Sequence, residues 1–171
     1  MKQRTSKVAF LGIFTALAMI LSYIESQIPT FVAIPGIKLG LPNIAIIVVL
    51  YCIGFKEATL INLVRVILVS LLFSSTLTMA YGLAGATLSL IVMGLLKKSN
   101  FFSPIVVSVA GAISHNIGQI IVAIFVTQTS QLMYYLPILL FTGTISGVII
   151  GLIGAQVVKK TVKIMNKEDE K

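Results

Sequence analysis

Six apolar runs, each set off by a short polar, glycine- or proline-bearing break, constrain this chain more than any other feature of it. They cover approximately Val8–Tyr23, Pro42–Gly54, Ala58–Phe73, Met79–Leu96, Pro104–Val126 and Met133–Val158. A bilayer core of about 30 Å takes roughly 20 apolar residues per helix. In lipid a backbone must satisfy its own hydrogen bonds, so an isolated spanning segment has to be helical. The second run is short and spans only with its flanks, a tilt or a locally thinned bilayer. Turn signals fill the breaks: Gln27-Ile28-Pro29 through Pro35-Gly36, Gly54 to Glu57, Ser74-Ser75-Thr76, Lys97 to Asn100, and Thr127 to Ser130. Composition agrees, since 57% of the residues are hydrophobic and 11% charged, against roughly 25% charged in soluble domains. The expectation is an all-α membrane protein, a single integral domain over residues 1–171 with six transmembrane helices.

The formal charge of +8 would suggest nucleic acid in a soluble protein. Here the basic residues sit at the ends and in the breaks, where anionic headgroups meet them, so lipid rather than nucleic acid is the expected partner. Lys and Arg are retained on the cytoplasmic side. With the N-terminus inside, that side collects Lys2, Arg4, Lys7, Lys56, Lys97, Lys98, Lys159, Lys160, Lys163, Lys167 and Lys171, and the outer side receives Lys38. Six spans with both termini cytoplasmic, in the plasma membrane, preserve this segregation. The first run is read as a span and not a cleaved leader, because its A-x-A site, Ala16-Leu17-Ala18, lies inside the apolar stretch. The charged tail Asn166–Lys171 is expected to fray. A single cysteine, Cys52, leaves no intrachain disulfide.

Helices in lipid associate by close packing of small residues, so Gly and Ala at four-residue spacing mark contact faces. The last helix carries Gly143, Gly147, Gly151 and Ala155 in one row, and the fifth carries Ser108, Gly111, His115, Gly118 and Val122. The first carries Ala9, Gly12 and Ala16, followed by Met19 and Tyr23. Each row either packs within the bundle or accepts a helix of another protein, and spacing alone does not separate the two.

Arg65 is the most informative single residue. At 1.5 Å per residue it lies ~13 Å from Lys56, near the bilayer centre. A central arginine costs about 2.5–3.5 kcal/mol on insertion scales, so it should face protein or a wet cavity. Asn62 is one turn away on the same face, while Glu25 and Glu57 are expected at other depths. Either an anionic ligand completes this site or backbone carbonyls of a broken helix do. His115 lies ~16 Å from Pro104, again near the centre, with Asn116 adjacent and Gln119 one turn on. Lys38, Asn43, Tyr81 and Glu25 are the polar groups expected at the outer mouth, where Ile28–Pro42 forms a proline-stiffened loop that either gates the mouth or merely connects. One His and one Cys on separate helices do not make a metal site. The only aspartate is Asp169, and neither a phosphate-binding loop nor an acid for a Ser-His triad is present, so no catalysis and no cofactor are expected.

Pro35-Gly36-Ile37-Lys38-Leu39-Gly40-Leu41-Pro42-Asn43, Gly54-Phe55-Lys56-Glu57, Leu63-Val64-Arg65-Val66, Tyr81 to Ala86, and Ser114-His115-Asn116-Ile117-Gly118-Gln119 together resemble the membrane family called heptaprenyl diphosphate synthase component I, also named the Gx transporter family. That family in turn looks like the substrate-binding S components of energy-coupling factor (ECF) importers. The resemblance implies a six-helix bundle that binds a small anionic compound and docks a coupling membrane protein driven by two ATPases. Ala9, Gly12 and Ala16 would supply the docking face, with Gly12 where the family motif has Ala. Arg65, with Asn62 beside it, would hold the anion, His115, Asn116 and Gln119 would orient it by hydrogen bonds, and the Ile28–Pro42 loop bearing Lys38 would close over it. The rival expectation is a noncatalytic membrane partner of a prenyl synthase, or of a flavin–quinone electron-transfer system.

Overall fold

Lipid leaves a backbone little choice but the helix, and each apolar run carries one. The computed structural model describes residues 2–27 and 40–169, with side chains over 7–27 and 40–164. The helices are α1 Lys2–Gln27, α2 Asn43–Cys52, α3 Phe55–Phe73, α4 Thr76–Lys98, α5 Pro104–Thr127 and α6 Leu136–Asp169, with a 3₁₀ turn over Ser130–Tyr135 before the last. Residues 7–27, α4, α5, and α6 with its preceding turn are four segments long and apolar enough to cross a bilayer, which makes this a multi-pass membrane protein. α2, at ten residues, is too short to cross on its own. α3 has 19 residues but carries Lys56, Glu57 and Arg65.

Local chemistry explains the ends. Ser75 and Ser103 cap α4 and α5, accepting from the N–H of Thr78 and Val106 through their hydroxyls. Pro104 takes the first helical position of α5, where its missing N–H costs nothing. Gln128, in the left-handed region at φ 52, stops α5. α6 continues beyond Val158 to Asp169, so the segment expected to fray is helical up to that point. Lys159, Lys160 and Lys163 are good helix formers and lengthen it into the charged region.

α2 forms the centre. Ala45 and Ile46 to Leu50 are buried on every side, as an all-round apolar helix must be. Ala18 of α1, Ala58 and Ile61 of α3, Leu90 and Met93 of α4, Val107 of α5 and Ile150 of α6 complete the core. At the C-terminal end of α2, Lys97 donates through Nζ to the Leu50 carbonyl and stands 5.5 Å from the Tyr51 ring centre. A cation there meets the negative end of the helix dipole.

The glycine rows of α5 and α6 are internal. A Cβ on Gly147 would lie 2.7 Å from Val109 Cα, one on Gly151 2.8 Å from Ile105 Cα, and one on Gly118 2.8 Å from the Ala84 carbonyl. Backbone thus lies on backbone along α4–α5–α6, the close approach that small residues permit. The row of α1 faces the other way. Ala9, Gly12 and Ala16 are exposed, and nothing stands within 4 Å of where a Gly12 Cβ would be.

Candidate functional site

The inner face of α1 is Ala18, Ser22 and Glu25, four and three residues apart and therefore on one side of a helix. Ser22 donates its hydroxyl hydrogen to the Ala18 carbonyl at 2.8 Å, which leaves its lone pairs free to accept. Arg65 of α3 reaches across to it, Nη1 to Ser22 Oγ at 3.3 Å, and donates through Nη2 to Asn62 Oδ1 at 2.6 Å. Arg65 is 9% exposed, and its Nε is buried without a hydrogen-bond partner. Glu25 is the carboxylate whose charge acts on Arg65. Glu25 also accepts the Gly40 N–H through Oε1, tying the start of the Gly40–Asn43 turn to the same cluster. Gly40 sits at φ +74, a backbone setting that favours glycine. The arrangement is a buried cation with side-chain oxygens as partners of Nη1 and Nη2 and an unsatisfied N–H at Nε, suited to attracting an anionic oxygen.

The remaining expected residues are distributed. His115 and Gln119 pack over Gly85 of α4, where a Cβ would come within 2.9 Å of either side chain. Asn116 turns to α6 and donates through Nδ2 to the Leu139 carbonyl at 2.7 Å, beside Gly143. Asn43 opens α2, its backbone N–H bonded to the Gly40 carbonyl at 2.8 Å, and Tyr81 is half-buried on α4. Lys38, with the loop residues 28–39, lies outside the described residues. The structure therefore gathers Arg65 and Asn62 with Ser22 and Glu25 between α1 and α3, and places Asn116, His115 and Gln119 in the α5–α6 and α4–α5 contacts. The partners of the guanidinium among the described residues are the side-chain oxygens of Ser22 and Asn62, and not the backbone carbonyls that were one of its two expected completions. Sequence reasoning missed Ser22. Its spacing from Ala18 and Glu25 is the signal that would have found it.

Among the described residues no three His, Cys, Asp or Glu side chains come together to hold a metal ion. At the opposite end, Lys7 of α1 and Glu57 of α3 pair at 2.5 Å.

Fold and site define a multi-pass helical membrane protein with a buried arginine cluster between its first and third helices. The chain belongs to the heptaprenyl diphosphate synthase component I family, whose match runs over residues 14–157. That span takes in Ala16, Ser22, Asn62, Arg65, His115, Asn116 and Gln119 and begins after Ala9 and Gly12. No curated protein and no solved structure matches the chain.

Proposed function

We propose that this chain is a noncatalytic binding subunit of the plasma membrane that holds a small anionic compound beside Arg65 and docks a partner on the outer face of α1. The buried Arg65 with an unpartnered Nε carries the reading, because a desolvated donor costs about 1–3 kcal/mol until something accepts from it. Arg65 and Asn62 hold the anion, and Ser22 and Glu25 keep the guanidinium oriented. His115, Asn116 and Gln119 join α4, α5 and α6 instead of reaching the Arg65 cluster. Both termini are cytoplasmic and all six helices cross or enter the bilayer, an arrangement supported by the segregation of Lys and Arg. The partner is a coupling membrane protein driven by two ATPases, so that the assembly imports the anion in the manner of an ECF transporter. The exposed Ala9–Gly12–Ala16 row supports a docking role, since a row without a partner helix in the bundle leaves space for one.

The family's description favours a second reading, in which the docked partner is a prenyl synthase and nothing is transported; a flavin–quinone redox protein is the other partner of that class. Mass spectrometry of all protein and small molecules that copurify with the tagged chain in mild detergent separates the two. A coupling protein, two ATPases and one anion lost from a folded Arg65→Ala variant are the expected result. Recovery of prenyl-synthesis or redox proteins instead establishes the second reading. A chain that carries no anion, and whose partners survive Gly12→Leu, overturns both site assignments.

A further inference from the structure

Where α3 turns into α4, a cavity of ≈ 240 Å³ is lined by Ser70, Leu71, Ser74, Ser75, Thr76 and Met79. That is several times the roughly 30 Å³ share of one liquid water. Four of its six lining residues carry hydroxyls, and none is charged. Ser70 is the buried member of this lining. Thr15, Ser22, Thr59, Ser114 and Thr144 return their hydroxyl hydrogens to the carbonyl four residues back, the usual local outlet for a hydroxyl in an apolar helix. Ser70 makes no such bond although it is 8% exposed, so its hydroxyl is left to the cavity it lines.

The cavity also lies against the N-terminus of α4, a 23-residue helix whose first N–H groups have no intrahelical acceptor. Ser75 Oγ takes the Thr78 N–H at 3.3 Å, which leaves the N–H groups of the preceding turn for something else. An anionic oxygen is favoured there by the dipole and by the converging N–H groups. No lining carboxylate opposes it. Ser74, Ser75, Thr76 and Leu77 are exposed, so the cavity opens at the end of a membrane-length helix, where lipid phosphates lie.

We propose that the α3–α4 corner is a phosphate-binding site, with the Ser70 hydroxyl and the N-terminus of α4 receiving the oxygens of one phosphate group. It is separate from the Arg65 cluster and does not depend on it. The phosphate comes either from a phospholipid headgroup or from a free phosphate compound. Native mass spectrometry of the chain in mild detergent with added phosphatidylglycerol, and phosphorus NMR line broadening with inorganic phosphate, distinguish the sources. One phosphatidylglycerol per chain is expected to be retained, about fivefold more weakly in Ser70→Ala, the ratio for one lost hydrogen bond. In Ser70→Leu, which removes the hydroxyl and projects a branched apolar side chain into the cavity, it should be lost. The exposed-face control Leu72→Ala and diacylglycerol of the same chain length should show no such dependence. Phosphate broadening that disappears in Ser70→Leu, with lipid retention unaltered, assigns the site to free phosphate. If Ser70→Leu does not fold, Ser70→Ala combined with Thr76→Val replaces it. Binding of neither probe, or binding indifferent to these variants, overturns the proposal.

Discussion

The α4–α5–α6 side and the α1 side of this bundle are built from the same raw material, small residues at four-residue spacing, and put it to opposite use. Along α5 and α6 the glycines admit a neighbouring backbone, and 33% of the apolar stretch of α5 is buried in the bundle. In α1 only 11% is buried, and its row of Ala9, Gly12 and Ala16 looks outward. α1 is fastened by Ala18, Phe10, Leu11 and Phe14 against the core and by polar contacts, Ser22 to Arg65 in the middle and Lys7 to Glu57 at one end. Packing without gaps gives one side a fixed geometry. The other side adds a few directional bonds to a narrower apolar contact, and leaves free the face on which the proposed docking would occur.

The sharpest way to break this contrast is to enlarge glycines on both sides. Gly118→Leu and Gly147→Leu would drive side chains into backbone, and overpacking costs about 1–3 kcal/mol or more. Both should abolish a monodisperse, cooperatively unfolding species in size-exclusion and thermal circular dichroism measurements. If either variant unfolds like the parent chain, the close packing described for that side is wrong. Gly12→Leu should leave thermal unfolding of the isolated chain unchanged, within the ±0.5 kcal/mol usual for surface positions. Recovery of the copurifying partner should fall on the order of tenfold or more, as for an interface anchor. A large loss of stability would show instead that this face is packed.

The smallest effect belongs to Glu57. Its hydrogen bond with Lys7 holds the carboxyl below its ordinary value of 4.5. A depressed carboxyl contributes stability above the ordinary value and loses it as pH falls through the lowered one. Glu57→Gln should therefore be less stable than the parent at neutral pH and equal to it in acid. The gap should stay within the 0–1 kcal/mol typical of exposed pairs, and shrink with salt. A difference that persists in acid would mean the pair acts through packing rather than charge.

Apolar runs and the turn residues between them located the six helices of the described residues, because an apolar segment satisfies its own backbone most simply as a helix. It also singled out Arg65 and Asn62, since a central arginine must have partners and the residue one turn away is the nearest candidate. The lengths were less legible. α2 is shorter than its apolar run, because Ile53 and Gly54 form the turn into α3, and α6 runs further than its run, because lysines continue a helix as readily as apolar residues. Spacing determined that Ala9, Gly12 and Ala16 share a face, as do Gly143, Gly147 and Gly151. It did not determine which way either face points. Periodicity fixes angles within one helix, whereas the rotation of each helix against its neighbours comes from the summed packing of all of them. For that reason only the tertiary structure turned Ser22 toward Arg65, sent Asn116 to α6 and His115 to α4, and left the small residues of α1 facing outward.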